Sequence, residues 1–131
     1  MLIGDKDDYW TLEDLATIYK DAGKYFLADS IYNEMIPVSK KYYGESGLEY
    51  AKVLSNLGKI RIEQQLYAGV EEMLKTSLSI KKQVAGECSM EYAETLNILG
   101  VYYTFSGNIK AAETALVQAS KIKLELKGSD A

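Results

Sequence analysis

The sequence of 131 residues has no histidine and only one cysteine, Cys88. The absence of histidine removes the commonest general base and metal ligand of protein active sites. A lone cysteine cannot form an internal disulfide and is compatible with a reducing compartment, so we expect a cytoplasmic protein. Phosphate-binding loops, nucleophile elbows and Cys-x-x-Cys pairs are also missing from the sequence. These absences predict a protein that is not an enzyme and that has no cofactor and no metal.

Long apolar runs and basic stripes are absent as well. No apolar run approaches the roughly 20 residues that a membrane-spanning helix requires, so we expect no membrane association. The net charge is −4, and no cluster of basic residues could neutralise phosphates, which makes nucleic acid a poor candidate partner. The single proline, Pro37, is what a nearly all-helical chain would show.

One passage of the sequence is present twice, 42 residues apart. YYGESGLEYAKVLSNLG at 42–58 returns as VAGECSMEYAETLNILG at 84–100. Leu12, Leu54 and Leu96 coincide at the same offset. Further aligned sets are Leu15, Leu57 and Leu99; Ala28, Val70 and Ala112; Tyr32, Leu74 and Leu116; and Val38, Ile80 and Ile122. A fixed period of this length indicates a repeat architecture.

Apolar residues within each repeat follow helical spacing. Leu12, Leu15, Ala16 and Tyr19 lie at i, i+3, i+4 and i+7, on one face of a helix. Gly23 and Gly107 stand where a turn between two helices is expected, whereas the middle repeat has Gln65. We therefore predict six helices in three antiparallel pairs, at about 9–22, 25–42, 48–64, 67–84, 90–106 and 109–127.

The repeat resembles the tetratricopeptide repeat. The resemblance rests on the pattern of Leu96, Leu99, Gly100 and Tyr103, on the Gly-x-Tyr turn that begins at Gly23, and on a second-helix motif such as that of Ala28 and Tyr32. The 42-residue period is similar to the lengthened repeats of kinesin light chains and of many bacterial arrays. The usual His-Pro pair of such linkers is replaced by Gly47-Leu48 and Ser89-Met90. The resemblance implies an all-α superhelical solenoid of three helix-turn-helix repeats at about 9–44, 48–86 and 90–128.

The resemblance also implies a function and a site. Such arrays bind peptides or protein segments in a concave groove that is lined by the first helix of each repeat, so we expect a scaffold for protein–protein interaction. The residues that project from the predicted packing face into this groove are Glu13, Thr17, Lys20, Lys52, Ser55, Asn56, Lys59, Glu94, Asn97, Val101 and Phe105.

One specialised form of the site does not fit. Some three-repeat members grip the acidic C-terminal tail of heat-shock chaperones with a clamp of lysine, asparagine and arginine side chains. The corresponding positions here are Glu13, Thr17, Asn56, Glu94 and Ile98. Only Asn56 matches, and the two glutamates would repel a carboxylate, so this chain is not expected to bind a chaperone tail.

The ends of the chain suggest an alternative role. Arrays of this kind usually finish on a capping helix with a polar outer face. The last predicted helix instead carries Ile122, Leu124 and Leu126 with no following helix to cover them. We therefore expect the single domain at 1–131 to be a fragment of a longer array or a module that self-associates. The alternative function is a structural spacer or oligomerisation module of a larger signalling or enzymatic protein.

Overall fold

The computed structural model describes residues 6–129, with side chains described over 8–128. Within that range the chain forms six α-helices and no strand. In chain order they are α1 (Lys6–Asp21), α2 (Tyr25–Tyr43), α3 (Leu48–Glu63), α4 (Val70–Ala85), α5 (Met90–Ser106) and α6 (Ile109–Ser129). The predicted all-α fold of six helices in three pairs is confirmed. The first five and last two residues of the predicted domain at 1–131 lie outside the described residues.

Two of the sets that align at the 42-residue offset are buried in every repeat. Leu12, Leu54 and Leu96 are 1%, 6% and 5% exposed. The same holds for the aligned second-helix set of Ala28, Val70 and Ala112. Each helix packs mainly on the helices next to it in the chain, and α3 also contacts α5. This pattern is that of a solenoid, in which each unit buries its apolar face against its neighbours.

Two glycines allow the helices of one unit to approach closely. A Cβ atom added to Gly58 would lie 2.8 Å from a methyl carbon of Leu74, and one added to Gly100 would lie 2.6 Å from Cγ of Leu116. Each leucine therefore occupies the space that a larger side chain on the facing helix would need. In the second and third units, the glycine directly after the second aligned leucine therefore sets the distance between the paired helices.

The turn of the middle unit differs from the other two. Gly23 and Gly107 adopt left-handed backbone conformations after α1 and α5, as predicted. In the middle unit Gln65 takes that role with a φ of 62°, and Gly69 adds a second left-handed residue immediately before α4. This longer connection is why α4 begins at Val70, three residues later than predicted. A non-glycine residue at positive φ is uncommon and is sterically less favourable.

The two linkers between units begin their next helices differently. Ser89 caps α5, because its Oγ accepts a hydrogen bond from the Tyr92 amide at 3.2 Å. At the start of α3 the capping position is Gly47, and no side chain caps the helix. A side chain at residue 47 would collide with the Tyr43 carbonyl, so the linker closes too tightly there for a serine.

The outer face of α6 is less exposed than its sequence suggests. Ile122 is buried, and Leu126 packs against the core of the third unit, so the expectation that both lack cover is wrong. Leu124 and Val117 remain exposed, at 66% and 46%. Ile109, at the start of the helix, is also exposed, at 63%, so three large apolar side chains of α6 face the solvent among the described residues.

Candidate functional site

A groove with a volume of about 640 Å³ lies on the face formed by the first helices of the three units. α3 and α5 supply most of its lining, and α1, α4 and α6 contribute one residue each. Contact between α3 and α5 joins the two main walls. Across α1 and α3, the Tyr9 hydroxyl donates a hydrogen bond to the Glu49 carbonyl at 3.4 Å. The family resemblance implies a concave binding surface on this same face.

Most of the predicted groove residues lie in this lining. They are Lys20, Lys52, Ser55, Asn56, Lys59, Glu94, Asn97 and Val101. Ile62 and Ile98 add apolar surface to the same groove. The lining thus combines amides, charged groups and apolar side chains, which is the mixture that an extended peptide can use.

Three predicted residues do not line the groove. Glu13 is half-buried on α1, and burial raises the pKa of its carboxyl group while nearby Lys52 lowers it. The Thr17 hydroxyl donates a hydrogen bond to the Glu13 carbonyl at 2.9 Å. Phe105 is 60% exposed and stacks on Tyr67, with ring centroids 6.1 Å apart. Phe105 therefore belongs to an aromatic contact between the second and third units.

The first-helix residues Ile62, Glu63 and Ile98 also project into the groove, whereas the lining residues Lys81, Glu91, Thr95 and Lys123 were not predicted from the sequence. Lys81 lies on α4, the second helix of its unit, whereas the family resemblance implies a groove lined by first helices. A signal was present, because Val70, Leu74, Ser77 and Lys81 follow helical spacing along one stripe. The first three are fully buried, so a lysine on that stripe had to be buried too.

Lys81 is the one charged residue among the buried side chains that the structure describes, and it is 4% exposed. Its ammonium group donates hydrogen bonds to Thr95 Oγ1 at 2.7 Å and to Ser55 Oγ at 3.0 Å. These partners lie on α5 and α3, so the lysine links three helices from two units at the bottom of the groove.

The pKa of Lys81 is lowered to about 8, because burial disfavours its charged form. Glu94 and Glu91 on α5 oppose this effect, and Lys52 on α3 adds to it. Burial is the largest of these influences. Lys81 therefore remains mostly protonated at neutral pH but titrates within an accessible range.

Other kinds of site have no support among the described residues. No group of three or more histidine, cysteine, aspartate or glutamate residues could hold a metal ion within the part of the chain that the structure describes. Over the same residues, none of the helices has the length and apolar character required to cross a bilayer.

Comparisons with known proteins agree with the architecture. A family model described as tetratricopeptide repeat matches residues 7–83, which is more than half of the chain. Among 31 matching solved chains is the crystal structure of BtubC (BKLC) from P. vanneervenii, with a TM-score of 0.82 and 22% sequence identity. That match covers 95% of this chain and 50% of that chain, and at this identity it shows the fold alone. No curated protein matches.

Proposed function

This chain belongs to the tetratricopeptide repeat family, and we propose that it is a scaffold that binds an extended segment of a partner protein in the groove between α3 and α5. The family in general mediates binding to protein partners and is in general non-catalytic. The observation that carries the proposal is the groove of about 640 Å³ with a mixed polar and apolar lining.

Amide side chains give the groove a means to hold a peptide backbone. Asn56 is half-buried in the wall of α3, and Asn97 is exposed on α5. A side-chain amide offers both a donor and an acceptor, so it can pair with a peptide group in either direction. Ile62, Ile98 and Val101 can then receive apolar side chains of the bound segment.

The test is selection of binding peptides from a displayed random library, followed by affinity measurement with a labelled peptide. The double variant Asn56→Ala/Lys59→Ala should lower affinity by roughly 30-fold, as expected for loss of two polar contacts worth about 1 kcal/mol each. A matched control is Gln83→Ala/Lys110→Ala, which removes an amide and a lysine from exposed positions outside the groove lining. The groove assignment fails if selected peptides bind both double variants as tightly as the native protein.

A second candidate role is head-to-tail self-association through α6, and a specific observation favours it. The contacts that α4 makes with α5 use Glu71, which hydrogen-bonds to Tyr103, and Lys81, which hydrogen-bonds to Thr95. On α6 the aligned residues are Glu113 and Lys123. α6 therefore presents the same groups that α4 uses to receive a first helix.

Helix α1 of a second copy has matching residues. The positions aligned with Tyr103 and Thr95 are Tyr19 and Thr11 on α1, and Thr11 is exposed. Docking of α1 on α6 of another copy would repeat the α4–α5 interface with these side chains. Such a contact is heterologous, so it would build open chains of molecules rather than closed dimers.

Sedimentation velocity over a range of concentrations tests the second role. The average mass should rise with concentration, and Leu124→Lys should return it to the monomer value because Leu124 is exposed on α6. Leu66→Lys is the matched control, since Leu66 is an exposed leucine in the turn before α4. A native protein that stays monomeric at millimolar concentration would exclude self-association.

A further inference from the structure

Two exposed isoleucines occupy positions that are in contact inside the molecule. At the α4–α5 interface, Tyr67 packs edge-on against Tyr102, with ring centroids 6.4 Å apart. The residue aligned with Tyr67 in the last unit is Ile109, and the residue aligned with Tyr102 in the first unit is Ile18. Ile109 and Ile18 are 63% and 62% exposed. The outer faces of α6 and α1 therefore each present one half of an inner contact.

The α2–α3 interface uses the same pair of positions. Its aligned residues, Tyr25 and Ile60, belong to one core cluster, and Ile60 is fully buried. The pair is therefore apolar and in the core at both inner interfaces. Together with the aligned polar pairs described above for α6 and α1, it makes three inner contacts with counterparts on the two outer faces. This complementarity favours a second copy as the occupant of α6, and we call the contact of α6 with α1 of the next copy the joint.

A cavity of about 340 Å³ lies beside α6, where the joint would form. Its lining includes Asn97 of α5 and Lys123 of α6, and both residues also line the groove between α3 and α5. At the joint, α6 takes the place of α4, and α1 of the second copy takes the place of α5. A second groove, here called the joint groove, therefore forms between α5 of one copy and α1 of the next.

The joint gives a place to the three predicted groove residues that do not line the groove of a single copy. All three align with residues that do line it. They are Glu13, Thr17 and Phe105, which align with Asn97, Val101 and Glu63 in that order. The helical spacing that projects these side chains is therefore the spacing of lining residues, and the joint supplies the second wall that they lack in one copy.

The joint groove has the opposite balance of charge from the groove inside one copy. The inner lining contains five lysines and three glutamates. Among the described residues, the corresponding positions of the joint hold one lysine and three carboxylates, namely Lys123 and Glu94 of one copy and Glu13 and Asp14 of the next. Trp10 of the second copy, which is 46% exposed, also aligns with a lining residue of α5. The joint groove is thus acidic and carries an indole ring.

We propose that the joint groove binds a basic protein segment, with arginine or lysine side chains placed against Glu13, Asp14 and Trp10. This inference rests on the second role proposed above, self-association through α6, and names the ligand of a site that one copy does not complete. Carboxylates form charge-assisted hydrogen bonds with guanidinium and ammonium groups. The face of an indole ring attracts the same cations, arginine in particular. A lining of negative sign also raises the local concentration of a basic segment.

The first test measures the register of the joint by cross-linking. In a Cys88→Ser background, which removes the single native cysteine, Ile109→Cys is treated with a short bismaleimide, freed of excess reagent and mixed with Ile18→Cys. The two chains should become linked about tenfold faster or more than when Leu66→Cys replaces Ile109→Cys, because proximity raises the effective concentration of the thiol. Leu66 is an exposed leucine in the turn of the middle unit. Equal rates for the two pairs would overturn the joint.

Sedimentation of the native protein separates two kinds of failure. If the average mass rises with concentration but Ile18→Cys and Ile109→Cys do not link faster than the control, self-association stands in another register and the joint groove is wrong. If the native protein stays monomeric, the second role and the joint groove are both wrong.

The second test measures peptide binding to the cross-linked pair, which contains one joint. Two peptides of about ten residues, acetylated and amidated, differ only in four arginines or four glutamines. The arginine peptide should bind the cross-linked pair about tenfold more tightly, or more, than it binds the unlinked proteins diluted to monomers. The glutamine peptide should show no such difference. Equal affinity of the arginine peptide for linked and unlinked protein would refute the joint groove and leave the joint intact.

The same substitution placed in one copy or the other shows where the peptide binds. Glu13→Gln/Asp14→Asn in the copy that carries Ile18→Cys removes two carboxylates from the joint and should lower affinity for the arginine peptide about tenfold or more. In the copy that carries Ile109→Cys, this double substitution changes only the α1 face outside the joint and should leave affinity unchanged. Equal losses from both placements would mean that the peptide binds α1 alone. No loss from either would mean that these carboxylates do not contact it, and each of these two results contradicts the proposal.

Discussion

The two junctions between units have the same backbone plan but opposite arrangements of charge. At the first junction, α2 meets α3, and at the second, α4 meets α5. At the edge of the first junction, where α2 begins and α3 ends, Asp29 and Arg61 form an ion pair at 3.2 Å. The residues aligned with this pair at the second junction are Glu71 and Tyr103, which form a hydrogen bond from a neutral hydroxyl to a carboxylate.

On the side that faces the groove, the charged residue belongs to the second junction and the first junction has none. At the first junction Ser39 is fully buried, its hydroxyl donates to the Ile36 carbonyl of its own helix at 2.8 Å, and the aligned first-helix residue is the apolar Val53. At the second junction the aligned residues are Lys81 and Thr95. The first junction therefore keeps its cation at the edge, and the second buries one beneath the groove. The helices stack in the same way at both junctions, and the residues at these aligned positions determine where the positive charge lies.

The largest expected effect concerns the buried cation of the second junction. A pKa lowered from 10.5 to about 8 means that burying charged Lys81 costs roughly 3 kcal/mol of folding free energy at neutral pH. Lys81→Met should therefore raise the free energy of unfolding at pH 7 by up to about that amount, since an apolar side chain of similar length can fill the site. Urea denaturation measures this difference, with Lys75→Met as the exposed control.

The pH dependence of stability has a defined sign. Between pH 8 and 10.5 the unfolded chain keeps a lysine proton that the folded protein has lost, so stability should rise with pH over this range. The measurement should stop near pH 9.5, because the raised pKa values of Tyr32 and Tyr103, about 12 each, begin to destabilise the fold above pH 10. The native protein should gain about 2 kcal/mol by pH 9.5, while Lys81→Met stays level. Parallel curves for the two proteins would show that the second junction carries no buried charge penalty.

The second effect in size concerns the edge of the first junction. Asp29 Oδ2 accepts hydrogen bonds from Arg61 Nε at 3.2 Å and from Gln64 Nε2 at 3.0 Å, and the two ion-pair side chains are 14% and 26% exposed. A double-mutant cycle with Asp29→Asn and Arg61→Met should give a coupling energy of about 1 kcal/mol that falls in 1 M salt. The more exposed pair of Glu71 and Lys75 should give about 0.3 kcal/mol in the same experiment. A coupling of equal size for both pairs would mean that burial at the junction adds nothing.

Much of the fold could be predicted from the sequence, because the packing residues repeat. Leucines at the 42-residue offset fix the buried face of each helix, and all three of Leu12, Leu54 and Leu96 are buried. The start of α4 was predicted three residues early, since spacing alone does not reveal that Gln65 and Gly69 both adopt left-handed conformations.

The site could be predicted only in part. Residues that project from the first helices, such as Asn56 and Asn97, follow directly from helical spacing and do line the groove. Lys81 was missed because its position depends on three helices from two units, and no local pattern specifies that a second-helix lysine meets hydroxyls at 2.7 and 3.0 Å. The replacement of tyrosine by Arg61 is an irregularity in the repeat pattern, and only the position of Asp29 across the junction explains it.

A smaller effect is expected at the edge of the second junction. The Tyr103 hydroxyl lowers the pKa of the Glu71 carboxyl group, and this hydrogen bond is the first cause of that shift. Tyr103→Phe should therefore raise the pKa of Glu71 towards its ordinary value, as followed by carboxyl-carbon NMR, with a stability loss below about 0.5 kcal/mol. Tyr102→Phe is the matched control, because Tyr102 is adjacent and is not a cause of the Glu71 shift. If the pKa of Glu71 is the same in Tyr103→Phe as in the native protein, Tyr103 does not form this hydrogen bond in solution.

The smallest effect on stability should come from giving the first junction the edge residue of the second. Arg61→Tyr places the second junction's residue at the first junction, where Asp29 can accept a hydrogen bond from a tyrosine hydroxyl as Glu71 does from Tyr103. We expect the free energy of unfolding to change by less than about 0.5 kcal/mol at 0.1 M salt, because one charge-assisted hydrogen bond replaces another. The salt dependence measured at the first junction should disappear, since the new donor is neutral. Arg61→Ala, which leaves Asp29 without this partner, is the reference. If Arg61→Tyr is as unstable as Arg61→Ala, the two edges are not interchangeable, and the ion pair rather than the shared backbone plan determines how α2 receives α3.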